Sequence, residues 1–287
     1  MDILPQLILN SIIASAIYMM VALGFNLNFG TVKFFDLGYG ALTTVGGYSV
    51  FFLYKKLGID LSLSIALGVL FTGCVGYLVN ILVYKKLRDR KASNMVLLVA
   101  SLGVLTVLQA IVAMLFSSQF QTLSLGSASR VFEIFGAVIT QVQLTILVSG
   151  LAIALILAIV IKRTLFGKAI TAVADDEEVA KIVGINTNKI IGAVFFIGAM
   201  IAGLAGILVG FDTGIEPTMG MNLLLKGVIA SIIGGIGNIY GGVLGAFLLG
   251  FVENFGIWKI SGEWKDAIAF VLLIIFLLFR PQGIIKK

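Results

Sequence analysis

Histidine is missing altogether from the 287 residues of the chain. Its absence removes the Ser-His-Asp triad, the histidine general base, the His-ligated metal site and a histidine-held haem. Cysteine occurs once, as Cys74, so no internal disulfide or Cys-x-x-Cys site can form, and thiols say nothing about redox compartment. Lying within the apolar run Leu61 to Tyr84, Cys74 reads as a small packing residue. A phosphate-cradling loop is lacking as well. The nearest string to a P-loop, Gly167-Lys168-Ala169, has no hydroxyl to hold magnesium. Neither enzymatic chemistry nor a cofactor or metal is expected of the chain, and any ATP-driven step needs a site on a partner.

Charge is also scarce. Only 12% of residues are charged while 60% are hydrophobic, and mean hydropathy is +1.13. Soluble domains carry about 25% charged and roughly 45–50% apolar residues, so the expected solvent is lipid. At roughly 20 apolar residues per helical span, the expected fold is all-α: a single membrane domain, residues 1–287, built as a polytopic bundle of eight to nine spans. Ala14-Ser15-Ala16 has the look of a signal-cleavage site, but no Lys or Arg precedes it, Asp2 sits in the region that should be positive, and the apolar run continues to Leu27. The first segment is read as a span.

Nine apolar segments can be drawn: Pro5 to Leu27, Phe34 to Tyr54, Leu61 to Tyr84, Met95 to Phe116, Val142 to Ile161, Ile190 to Phe211, Met221 to Ile239, Gly241 to Trp258 and Trp264 to Phe279. The seventh is interrupted by Gly234-Gly235-Ile236-Gly237-Asn238, so it is either a short crossing or a re-entrant segment. Lys and Arg in the loops set orientation. Residues 85–91 hold five, 162–189 another five, and Lys33, Arg280, Lys286 and Lys287 complete fourteen on one side; Lys55, Lys56, Arg130, Lys259 and Lys265 make five on the other. The rich side is expected to be cytoplasmic, with the C-terminus there and, for nine crossings, the N-terminus outside. Basic residues at span ends account for the net charge of +6 without nucleic acid.

Two connections are more than bare spans. Ser117 to Val138, with Ser124, Ser127 and Ser129, is expected to be a simple connection or a surface helix on the outer side. The cytoplasmic stretch Thr164 to Asn188 is more strongly patterned. Asp175 is placed as an N-cap with Glu178 at capping-box spacing, the four acids 175–178 favour the positive end of a helix, and Lys181 and Gly184 suit its end near Val183. Val179, Ile182 and Val183 form an apolar edge that either packs on the bundle or enters another protein's groove.

This stretch resembles the cytoplasmic loop of ABC importer permeases, specifically the branched-chain amino-acid permeases of the LivH type. The matching residues are Gly167, Ala169, Ala172, Ala174, Asp175, Asp176, Ala180 and then Gly184-Ile185-Asn186-Thr187. Further segments match in the same order: Asn28-Phe29-Gly30, Phe35 to Leu42, Lys91-Ala92-Ser93 with Ser101-Leu102-Gly103, Gly234 to Asn238, and Arg280 to Ile284. The resemblance implies that residues 164–188 form a coupling helix on a separate ATPase subunit. It also implies a second permease subunit, usually a paralogue, an extracytoplasmic solute-binding protein, and a place in the bacterial inner membrane. Two departures stand out: the family commonly has Asn and His at Asp36 and Tyr39, and a proline-containing basic loop at Leu87-Arg88-Asp89-Arg90.

Within the spans, Asn26, Asn28, Asp36, Tyr39, Ser101, Thr106 and Gln109 either line a polar path or serve their own helices. Lys226 and Glu253 fall at similar depth on neighbouring spans and either pair or reach separately for the surface. Thirty-four glycines against three prolines favour close helix packing, with four-residue spacings in Ala199 and Gly203, in Ala202, Gly206 and Gly210, in Gly241 and Gly245, and in Ala246 and Gly250, within the subunit or against a second permease. The competing function is a self-sufficient ion-coupled carrier or channel for small amino acids, amides or urea. No line of acids or lysines crosses mid-span, so that reading is the weaker.

Overall fold

The computed structural model describes residues 3–123, 131–134 and 136–285. Asp2, Ser124, Ser127, Ser129, Arg130, Lys286 and Lys287, which entered the sequence reading, lie outside the described residues.

The fold is a helical bundle. Its helices are α1 (Ile3–Val32), α2 (Gly38–Val50), α3 (Leu61–Val79), α4 (Lys86–Asp89), α5 (Asn94–Phe116), α6 (Gln141–Arg163), α7 (Leu165–Asp175), α8 (Glu177–Ile182), α9 (Thr187–Asp212), α10 (Met219–Gly234), α11 (Ile239–Lys259) and α12 (Lys265–Phe279). A π-helical turn, Phe51–Lys56, prolongs α2, and another, Asn80–Lys85, joins α3 to α4. Among the described residues, six helices are long and apolar enough to cross a membrane: Leu4–Val32, Leu61–Asp89, Asn94–Phe116, Gln141–Arg163, Thr187–Asp212 and Ile239–Lys259. Met219–Gly234 is a shorter apolar helix. The chain is a multi-pass membrane protein.

Polar side chains set the helix starts. Asp60 accepts from Ser62 N and Leu63 N, Ser93 from Val96 N, Asn186 from Lys189 N, and Asn238 from Tyr240 N and Gly241 N. Thr140 and Gln143 cap α6 reciprocally. Each cap satisfies amide groups that a helix end leaves open.

At the centre, α1 packs on α11, α9 and α10, while α9 packs on α2 and α3. The glycine faces make these approaches possible within this one chain. A Cβ at Gly206 would run into the Thr43 carbonyl, one at Gly245 into the Ala230 carbonyl, and one at Gly250 into Ser15. Such backbone-to-backbone contact substitutes for the hydrophobic drive that lipid abolishes.

Three expectations need correction. Residues 117–138 include strand rather than helix: β1 (Val131–Ile134) and β2 (Ala137–Thr140) form an antiparallel hairpin, turned at Gly136 with φ +80°. The β-branched and aromatic residues of Val131-Phe132-Glu133-Ile134 and a glycine free to adopt positive φ explain it. Cys74 is exposed, because α3 turns Thr72, Gly73 and Gly76 inward and leaves Cys74 on the other face. The cap of α8 is Asp176, accepting from Glu178 N and Val179 N, while Asp175 is the last residue of α7 and α8 ends at Ile182. The reason is a break at Asp176, whose extended backbone (φ −152°, ψ 114°) separates two helices where one was expected.

Candidate functional site

Residues 164–188 fold as two short helices against one end of the bundle. Thr164 caps α7 by accepting from Gly167 N at 2.9 Å. Gly167 has to be glycine, since a Cβ there would meet the backbone of Val160 and Ile161, and only its absence lets α7 fold back on α6. Ile170, Val173 and Ala174 of α7 and Ala180 of α8 are buried inward, whereas Ala172 and Ile185 are half-buried beside them. Gly184, at φ +88°, terminates α8, and Asn186 then caps α9.

The outward side combines apolar and acidic groups. Leu165 is 84% exposed, Ile182 83% and Val183 69%. Asp175, Asp176 and Glu178 are exposed alongside them. Apolar side chains projecting at a loop with acids between them have the composition of a docking surface rather than of lipid contact. Leu165, just past Lys162-Arg163-Thr164, had no signal in sequence to tell it from the apolar residues that follow it in α7; only the fold at Thr164 turns it out.

Glu177 fastens this surface. Its carboxylate lies 2.7 Å from Lys181 Nζ and accepts from Thr187 Oγ1 at 3.3 Å. Burial on its own would raise the carboxyl, but the Lys181 hydrogen bond, the Arg88 charge and Thr187 together hold it below the ordinary carboxylate range.

The polar residues of the spans have different surroundings. Asn26 is a clamp: Nδ2 donates to Asn238 O at 3.1 Å and Oδ1 accepts from Gly237 N at 3.0 Å, closing the turn between α10 and α11. That turn needs positive φ at Gly235 (117°) and Gly237 (77°), and the chain end joins it through Ile284 N to Ile233 O and Ile285 N to Gly234 O. Ser101 accepts from Leu37 N at 3.0 Å, and Asp36, buried between α1 and α2, accepts from the Tyr84 hydroxyl at 2.6 Å. Thr106 donates to its own helix at Leu102 O and Gly103 O. Gln109 stands eight residues beyond Ser101 on α5, about 12 Å along that helix. Asn28 and Tyr39 differ from the rest: both are buried beside the Gly24 and Gly198 backbones, and both amide atoms of Asn28 and the Tyr39 hydroxyl have no hydrogen-bond partner among the described residues.

Lys226 and Glu253 form a direct ion pair. Glu253 is wholly buried and also accepts from the Tyr18 hydroxyl at 2.6 Å; Lys226 reaches Asp266 at 2.8 Å, and Lys265 lies 3.9 Å from Glu253. One apolar cavity of about 690 Å³ opens between α2, α3 and α5, lined by Tyr48, Phe52, Phe71, Leu108 and Phe116 among others. Its walls lack the charged groups that an amino acid's ammonium and carboxylate would need.

Comparisons with known proteins converge. The family model described as branched-chain amino acid transport system / permease component matches residues 7–277. The chain is 31% identical to the high-affinity branched-chain amino acid transport system permease protein BraD of Pseudomonas aeruginosa, over 98% of this chain and 95% of that protein. LivH of Escherichia coli strain K12 gives the same identity and coverage. The probable LivH of Methanocaldococcus jannaschii is 27% identical over 96% of this chain and 90% of its own length. Among solved structures, PsaBC from Streptococcus pneumoniae in complex with Fab superposes with a TM-score of 0.54 at 14% identity, covering 98% of this chain and 93% of that one, a likeness of fold alone. The chain belongs to the family of permease components of branched-chain amino acid transport systems.

Proposed function

We propose that the chain is the membrane-embedded permease subunit of an ABC importer carrying branched-chain or related small amino acids. ATP is hydrolysed on separate ATPase subunits, a second permease subunit completes the pathway, and an extracytoplasmic binding protein delivers the solute. Loop 164–188 faces the cytoplasm with the basic segment 85–91 and the C-terminal end, in the inner membrane.

The observation that carries this reading is the exposed apolar and acidic face of α7 and α8 on a rigidly packed base, within a family of transport permeases. A face of this kind calls for a partner groove with an apolar floor and a basic rim. An ion-coupled carrier needs titratable groups free along a path. Lys226 and Glu253 are instead engaged with one another and with Asp266 and Tyr18, and Asp36 is held by Tyr84.

Co-purification tests the assignment of the surface. Ile182→Asp should leave the permease folded and abolish capture of the ATPase subunit; undiminished capture would place the contact elsewhere.

A further inference from the structure

The end of α3 shares an apolar cluster with the loop 164–188 on one side and is hydrogen-bonded to the turn between α1 and α2 on the other. The π-helical turn Asn80–Lys85 widens the helix there and carries Tyr84 into the interior. The Tyr84 ring lies edge-on to Phe34 with centroids 5.1 Å apart and tilted against Phe195 at 5.4 Å. Val173 of α7 and Ala180 of α8 are buried in the same apolar cluster as Val32, Phe34, Tyr84, Ile191 and Phe195. Displacement of the loop therefore bears on the Tyr84 ring through that shared cluster, because packed side chains transmit strain instead of absorbing it.

Four residues beyond Tyr84, Arg88 adds its charge to those holding Glu177 of α8. Its Nε and Nη1 are buried with no hydrogen-bond partner among the described residues, so this hold acts through space. The same helix end thus carries a charge that acts on the loop and, one turn earlier, a ring in the apolar cluster that the loop shares.

On its other side Tyr84 grips the turn 33–37. Its hydroxyl donates to Asp36 Oδ1 at 2.6 Å, both side chains being buried. Gly38 leaves room for this contact: a Cβ there would come within 2.7 Å of the Tyr84 hydroxyl and 3.1 Å of Asp36 Oδ1. The turn leads into the first residues of α2, which bear Tyr39. Its hydroxyl and the amide atoms of Asn28 are buried without a hydrogen-bond partner among the described residues, so a shift of this turn that admits water or solute between α1 and α2 relieves them.

Building on the coupling reading of residues 164–188, we propose that the Tyr84–Asp36 hydrogen bond links that loop to the α1–α2 turn, making Tyr84 a positioning residue for transport. Movement of α7 and α8 is passed through the Tyr84 ring to Asp36, and so to the segment that buries Tyr39 and Asn28.

The test uses the whole importer in liposomes, with uptake and ATP hydrolysis measured in the same vesicles. Tyr84→Phe retains the ring and its packing but loses the hydrogen bond. It should assemble and hydrolyse ATP as the unaltered complex does, while solute moved per ATP falls about tenfold, the scale of one hydrogen bond to a charged group. Asp36→Asn keeps an acceptor and should stay near the unaltered ratio, whereas Asp36→Ala should match Tyr84→Phe. These Asp36 variants give the same reading from the other partner should Tyr84→Phe fold poorly. An unaltered ratio in Tyr84→Phe or Asp36→Ala overturns the link while leaving the coupling surface intact. Failure of the unaltered permease to assemble with an ATPase overturns the coupling reading and the link with it.

Discussion

Lys226 on α10 and Glu253 on α11 meet in a direct ion pair at a place where Glu253 has no solvent exposure. Desolvating both charges is costly, so stability depends on keeping the pair whole and on the extra contacts from Tyr18, Asp266 and Lys265. Lys226→Met leaves the buried carboxylate with the Tyr18 hydroxyl and, as its nearest cation, Lys265 at 3.9 Å, and should destabilise the permease by about 3–5 kcal/mol. Lys226→Met combined with Glu253→Gln should recover most of that loss. Thermal unfolding in detergent reads both, and a double variant no better than the single one would refute the pairing as the source of the effect.

Close helix approach supplies a second prediction. Gly206→Ala places a methyl against the Thr43 carbonyl, with backbone on both sides, and should cost about 1–3 kcal/mol. Gly103→Ala meets nothing within 4 Å on the exposed side of α5 and should be neutral or stabilising by up to about 1 kcal/mol. Equal melting temperatures for the two variants would contradict the packing account.

The apolar segments were legible because lipid demands runs near the length of a bilayer and the chain has them. Local chemistry was legible to within a residue: the N-cap was sought at Asp175, the start of the acidic run, and lies one residue later, because Asp175 and Asp176 are equivalent as a pattern and only the extended backbone at Asp176 decides between them. Cys74 was misplaced because an all-round apolar helix has no stripe to show which side faces the core. Non-local partners left no trace. Depth counting on adjacent segments sets Lys226 level with Glu253, but nothing linear points to Tyr18 or Asp266, or connects Tyr84 with Asp36 forty-eight residues earlier.

Acidification should loosen the loop at 164–188. Glu177 is held below the ordinary carboxylate range in the folded loop, so on lowering the pH the unfolded loop takes up the proton first. Its contribution is complete above the unfolded value near ~4.3 and is lost as pH falls through the lower folded value. Hydrogen exchange of the α8 amides should therefore show reduced protection at pH 3 to 4, corrected for intrinsic rates. Glu177→Gln should remove that pH dependence, and protection that falls identically in the variant would assign the loss to another group.

The exposed side chains of the loop predict a graded effect on assembly. Ile182→Ala and Leu165→Ala each remove a large apolar group that is free in the isolated permease, and burial of such a side chain is worth about 1.5–3 kcal/mol. Each should weaken ATPase binding by roughly ten- to a hundredfold without changing the melting temperature of the isolated permease. Titration of the labelled ATPase against permease in nanodiscs measures it, and unchanged affinity in both variants would remove the loop from the interface.

The central claim, that this permease is driven from outside its own chain, is tested most directly by reconstituted uptake. Liposomes holding the permease with its ATPase and second permease subunits, supplied with binding protein and labelled leucine, should accumulate leucine only when ATP is present on the ATPase side. Accumulation by this chain alone, driven by an ion gradient and indifferent to ATP, would contradict the account.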